Sequence, residues 1–176
     1  AASDDSTVYF YTGESTKSHG TQQFARTTLF SKHKTAVTGL DFTEDGEIVR
    51  SESVYHGAEG AAAPSSFELL FADVISGNQI PTADALRSRK WDTAQCTAEW
   101  FAQGAWPANG EANMVTSKDR SRDGKLQIAT NEYGGLELAR HPWRHRAESR
   151  RVYSAHIGHV TKARFSGDDA RVFSVG

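Results

Sequence analysis

A unit that occurs twice limits what this chain can fold into more than any other feature. Residues 153–176 read YSAHIGHVTKARFSGDDARVFSVG, and residues 32–53 read KHKTAVTGLDFTEDGEIVRSES. Each copy opens with a histidine, His33 or His156, places Val-Thr four residues later, and sets a Phe just before a Gly/Asp turn. In physical terms the later copy is a His-bearing turn, a strand over 160–165, a tight acidic turn at 166–169, and a return strand over 171–175. Such a unit cannot bury its apolar side alone, so its repetition points to an architecture of stacked repeats.

The rest of the chain is built from the same kind of pieces. Val8, Tyr9, Phe10 and Tyr11 are strong strand formers behind an Asp-rich turn, and QQFARTTLF at 22–30 reads as a second strand after a polar loop at 13–20. In the first His unit Val37, Leu40 and Phe42 are the apolar positions. Gly46 closes its hairpin turn, and Ile48 and Val49 begin the return. HGAEGAAAPSS at 56–66 is a low-complexity loop, and FELLFADV at 67–74 a buried strand. A ragged stretch at 79–90 carries Pro81 and the basic residues Arg87, Arg89 and Lys90. WDTAQCTAEWFAQGAWP at 91–107 holds three of the four Trp residues and places Cys96 in an alternating, strand-like run. Residues 109–122 are polar and read as a surface excursion. Two strands then flank Gly134-Gly135, and RHRAESRR at 144–151 is a charged connector.

No stretch shows a helical period, and short strands separated by turns fit a sandwich, a barrel or a propeller. The order of the units favours the propeller. The expectation is an all-β, partial β-propeller of about two full and two partial blades, at residues 1–31, 32–90, 91–152 and 153–176.

Composition narrows the function classes. With 176 residues, 38% hydrophobic and 24% charged content, a net charge of −2 and a pI of 6.4, the chain reads as a globular protein. It is not a disordered acidic tail, and its charge balance argues against nucleic acid as the main partner. No apolar run approaches the roughly 18–20 residues that span a bilayer, so no membrane helix and no membrane partner are expected. There is no signal peptide, but the chain opens AASDDS without Met and reads as a piece of something longer. Cys96 stands alone and has no internal disulfide partner, which fits a reducing, intracellular setting.

Catalytic chemistry finds little footing. Cys96 lies where a buried thiol behaves as a small hydrophobe. His141, His145, His156 and His159 raise the question of zinc, but Pro142 disfavours a shared helix face and no Cys pair supports a closed site. Gly134-Gly135 precedes a strand and not a helix, so it is no phosphate loop. Asp45, Asp168 and Asp169 sit in solvated turns. The expectation is a non-enzymatic protein without metal or cofactor.

The residues do carry a family resemblance. SDDSTVYFY resembles the closing strands of a WD repeat, with Asp5 at the turn Asp and Tyr11 where a Trp usually sits. His33 and His156 match the histidine that opens such a repeat. The resemblance implies that they bond a strand Ser or Thr and pin the blade. Across the chain, Trp91, Cys96, Trp106-Pro107, Gly134 and Pro142 match in order and spacing the C-terminal propeller of the echinoderm microtubule-associated protein-like family. Asn131 and Glu132 stand where blade turns usually carry Asp, and Lys32 replaces the Gly before the first His.

The resemblance implies a cytoplasmic, cytoskeletal protein that binds tubulin and microtubules, in some relatives in the axoneme of a cilium or flagellum among other axonemal proteins. The alternative is a WD-repeat scaffold for protein assembly without tubulin contact. Arg140, Arg144, Arg146, Arg150 and Arg151 cluster with two His against a single Glu, which makes this connector the candidate contact for the acidic tubulin surface.

Overall fold

A computed structural model describes residues 1–15, 22–55, 66–106, 115–154 and 156–176. Within them, all strands pair antiparallel with their neighbours in sequence, in four separate sheets. Strands β1 (Val8–Ser15) and β2 (Gln22–Phe30) form the first sheet. The second is three-stranded, from β3 (Val37–Phe42), β4 (Ile48–Tyr55) and β5 (Ser66–Asp73). The third is four-stranded, from β6 (Val115–Arg120), β7 (Leu126–Asn131), β8 (Gly135–Arg140) and β9 (Arg150–Ser154). The fourth pairs β10 (Lys162–Phe165) with β11 (Val172–Val175). A meander of small antiparallel sheets in chain order is the construction of a propeller. The fold is all-β; the sheet of β6–β9 has four strands, the other three sheets have two or three, and together they do not close a ring.

The hairpin turns show that the strand–turn–strand part of the repeated unit occurs a third time. In Thr43–Gly46, Ser121–Gly124 and Ser166–Asp169 the first residue's hydroxyl donates to the Asp carboxylate two residues on, at 2.5, 2.8 and 2.5 Å. In each, the fourth residue's N–H donates to the first residue's carbonyl, at 2.8, 2.9 and 2.9 Å. That fourth residue has positive φ: 71° at Gly46, 71° at Gly124 and 57° at Asp169. Glycine reaches this region without a Cβ penalty, and Asp is among the few other residues that tolerate it. The SRDG turn at 121–124 is therefore the counterpart of TEDG at 43–46.

That third turn corrects one expectation. Residues 115–120 are not a surface excursion but the strand entering the turn, and Ser117 and Lys118 on it are buried. The alternating run at 91–98 is not a ladder strand either. Trp91 makes one bridge to Thr43 and Asp92 N–H donates to Phe42 O at 2.9 Å. The Asp41 carboxylate then takes the N–H groups of Gln95 and Cys96, at 2.6 and 2.9 Å. Amides captured by a side chain are lost to strand pairing. The segment continues into a 3-10 turn at Trp100–Ala105. The segment packs closely on β3: a Cβ at Gly39 would lie 3.4 Å from the Cys96 Cα, in ordinary van der Waals contact. Residues 16–20, the Ala-rich loop at 56–65, Pro107 and 109–114 lie outside the described residues.

Apolar side chains fill two of the three seams between consecutive sheets. Val8, Phe10 and Phe30 pack against Val37, Val49 and Ala72. Ile128 and Leu136 pack against Val160 and Ala163. The seam between the sheets of β3–β5 and β6–β9 is different, and it lies behind the candidate site.

Candidate functional site

The two repeat histidines sit at matching places. His33, 7% exposed, has Nε2 2.6 Å from Ser51 Oγ and Nδ1 3.1 Å from Ser53 Oγ, both on β4. His156 has Nε2 2.8 Å from Ser174 Oγ on β11. Burial lowers the His33 pKa, so the ring is held neutral and bonds hydroxyls. Asp5 accepts from Thr7 N–H at 3.0 Å and from the Tyr9 hydroxyl at 2.6 Å, while Tyr11 is exposed.

The basic connector divides into two sets. Arg146 grips Glu137 with both terminal nitrogens at 2.6 Å, the bidentate geometry that makes Arg–carboxylate pairs strong. Arg150 adds its Nε at 2.7 Å to the same carboxylate and donates from Nη1 to Arg146 O at 3.0 Å. These two arginines tie the connector to β8. Trp143 is fully buried among Ala105, Val115, Ala129 and Ala139, with Nε1 donating to His145 O at 3.0 Å. It anchors the connector and does not face a partner. Arg140, Arg144 and Arg151 remain exposed. Arg144 lies 5.7 Å above the Phe101 ring.

Behind this surface the middle seam holds a buried ionic network. Arg50, 3% exposed, donates from Nε to Asp41 Oδ2 at 2.9 Å and from Nη2 to Glu99 Oε2 at 2.7 Å, and its guanidinium stacks 4.4 Å from the Trp91 ring. The fully buried Lys118 ammonium reaches the other oxygen of Glu99. Asp41 also accepts from the Thr93 hydroxyl at 2.5 Å. Glu52 takes the Thr97 hydroxyl at 2.9 Å and the amides of Thr97 and Ala98.

Burial alone would raise the Glu99 pKa, but Lys118 and Arg50 overcome it and hold the carboxyl at about 2. Asp41 is lowered in the same way by Arg50 and its hydrogen bonds. For Glu52 burial wins and the pKa rises. Burial also pushes the Cys96 thiol well up, so it stays protonated and poorly nucleophilic. Among the described residues no three His, Cys, Asp or Glu side chains converge as a metal group. His141 instead bonds Gln127 Oε1 at 2.9 Å.

None of Asp41, Arg50, Glu99 and Lys118 stands out in the sequence, where polar strand positions read as solvated. The usable signal was indirect: the SRDG turn requires a strand before it, and that strand contains Lys118.

Comparison with known proteins fits this geometry. The family model described as the echinoderm microtubule-associated protein second beta-propeller matches residues 1–176. Echinoderm microtubule-associated protein-like 2 of Mus musculus is 28% identical over 174 residues, covering 99% of this chain and 24% of that protein. The 77 kDa echinoderm microtubule-associated protein of Strongylocentrotus purpuratus is 27% identical over 175 residues, covering 99% of this chain and 23% of that protein. The chain thus spans about a quarter of the length of these relatives. A chain in the crystal structure of the mitotic checkpoint complex superposes with a TM-score of 0.52 at 15% identity, over 85% of this chain and 49% of that one, a likeness of fold alone. By the match along its whole length, this chain belongs to the echinoderm microtubule-associated protein family, in the part that forms the second β-propeller.

Proposed function

We propose that this chain is part of a non-enzymatic propeller that binds microtubules through tubulin, with Arg140, Arg144 and Arg151 as its electrostatic contact. The observation that carries the reading is the family match over residues 1–176, with relatives named as microtubule-associated proteins. The three exposed arginines give the reading a surface, since Arg146 and Arg150 are engaged by Glu137. Exposed like charges raise the encounter rate with an acidic partner and make binding salt-dependent. The setting is the cytoplasmic cytoskeleton, including the axoneme of a cilium or flagellum. His33, His156 and Asp5 act as blade pins in this reading, without partner contact.

Co-sedimentation of the full-length protein with microtubules, at low and raised salt, tests the proposal. Wild type pellets at low salt and is released as salt rises. Changing Arg140, Arg144 and Arg151 to Glu weakens pelleting roughly tenfold. Failure of the wild type to pellet at low salt sinks the tubulin reading and leaves the WD-repeat scaffold. Unchanged pelleting of the triple variant moves the contact elsewhere. Arg146 and Arg150 are left intact, because reversing them would unmake the connector itself.

A further inference from the structure

The sheet of β6–β9 has four strands, whereas the sheet of β3–β5 stops at three. Strand β5 does begin to gain a fourth. After the turn at Val74–Gly77 the chain comes back beside it, with Asp73 N–H donating to Asn78 O at 3.0 Å and Ile80 N–H to Phe71 O at 2.8 Å. Then it departs. Pro81 follows, and a 3-10 turn at Ala83–Leu86 buries Leu86 against Ile48 and Trp91, drawing the chain off the edge.

The two bonds at Phe71 and Asp73 fix which way alternate peptide groups point. By that alternation Leu69 and Phe67 turn their N–H and C=O to the same outer edge, and among the described residues no backbone group pairs with them. Beside this edge lies a hollow of about 240 Å³, lined chiefly by Leu69, Phe71, Ala83, Leu86, Trp91 and Phe101. Edge and hollow are in phase. Leu69 and Phe71 are two residues apart and share a face, so a residue placed opposite Leu69 on an added strand projects toward the hollow. Its neighbours project to the face of Glu68, where Lys34 Nζ lies 3.3 Å from the carboxylate.

We propose that the outer edge of β5 is a docking site, at which an extended segment of a partner protein completes the blade. The segment runs antiparallel to β5, in line with Asn78–Ile80, and places an aromatic or large aliphatic side chain opposite Leu69. Backbone bonds supply the affinity and the hollow the specificity, as in other cases of strand addition. A second copy of this chain is a poor occupant. The Asn78–Ile80 return takes the same edge from Phe71 onward and blocks another β5 from lying along it. The outer edge of the complete blade differs: β9 carries Arg150 and Arg151, and charges on an edge discourage pairing. From Phe67 to Leu70, β5 carries only the charge of Glu68.

This proposal does not rest on the microtubule reading. Its test uses the full-length protein and a short fluorescent peptide alternating threonine and valine around one central phenylalanine, followed by anisotropy. Saturable binding is expected. N-methylation of the phenylalanine amide, which would bond Leu69 O, abolishes it, whereas N-methylation of the adjacent threonine amide leaves it intact. Ala83→Trp fills the hollow and weakens binding about tenfold while the thermal transition holds. Absence of saturable binding overturns the proposal, as does equal binding of the two methylated peptides, which needs no protein variant. An affinity unchanged in a folded Ala83→Trp protein also overturns it. So does a protein dimer that the peptide dissolves, because a second copy would then own the edge.

Discussion

The sheet of β3–β5 meets its two neighbours through opposite chemistry. Toward β1–β2 it presents Val37, Val49 and Ala72 to Val8, Phe10 and Phe30. Toward β6–β9 it presents Asp41, Arg50 and Glu52 to the inserted segment at 91–106 and to Lys118. The apolar seam is held by area removed from water, which is non-directional and degrades gradually when one methyl is lost. The ionic seam is held by a balance of two cations and two carboxylates in Arg50, Lys118, Asp41 and Glu99, all out of water. Such a set is weak evidence of extra stability, but it fails badly when one member is removed. It also fixes position. Asp41 and Glu52 hold the amides of residues 95–98 at set points along β3 and β4, so this insertion cannot slide.

The largest effect should come from breaking that balance. Arg50→Met leaves Asp41 and Glu99 buried with only Lys118 between them, and should cost about 3–5 kcal/mol, read as a lowered calorimetric transition in the full-length protein. Lys118→Met should be similarly harmful. Combining it with Glu99→Gln should recover part of the loss, because the Asp41–Arg50 pair then remains neutral. A double variant as damaged as the sum of its singles would mean that packing, and not charge balance, holds the middle seam.

Acid offers a milder way to open the same seam. Glu99 is held at about 2 against an ordinary 4.5. Its folded-state pKa is depressed, so its contribution is fully present above 4.5 and is lost as pH falls toward 2. The size is on the order of 3 kcal/mol. Asp41 acts with the same sign, and Glu52, raised by burial, with the opposite one. Urea unfolding from neutral pH downward should show stability falling across this window in the wild type, with a shallower slope in Glu99→Gln. Equal slopes would remove Glu99 from the account.

The contrast between the seams also explains what was legible in the sequence. The strand-forming apolar residues Val37, Leu40 and Phe42 and the Ser/Thr–Asp turns are local signals, read within a few residues. They made the strands and the two His units visible. The ionic seam joins residues far apart in the chain: Arg50 and Glu99 are separated by 49 positions. Each of its members, taken alone, resembles a solvated polar residue on a strand. The same limit applied to the connector. Five arginines read as one basic patch in the sequence, but Glu137 on β8, outside the connector, engages Arg146 and Arg150. The run at 91–98 misled for a related reason. Its alternation is real, but Asp41 claims the amides that a ladder would need.

The smallest effect should appear at an apolar seam. Ile128, 2% exposed, packs with Leu136, Val160 and Ala163 between the third and fourth sheets. Ile128→Val removes one methylene and should cost about 1 kcal/mol, the transfer term plus a small cavity. The described side chains of that cluster are all apolar, so the cost should be the same at neutral and acid pH and at low and high salt. Measured beside Arg50→Met, it separates the two chemistries by their response to conditions as well as by size. A cost that grew as pH fell would mean that the ionic seam and its apolar neighbour open together as one unit. The charges would then govern the cohesion of the whole stack, and not of the middle seam alone.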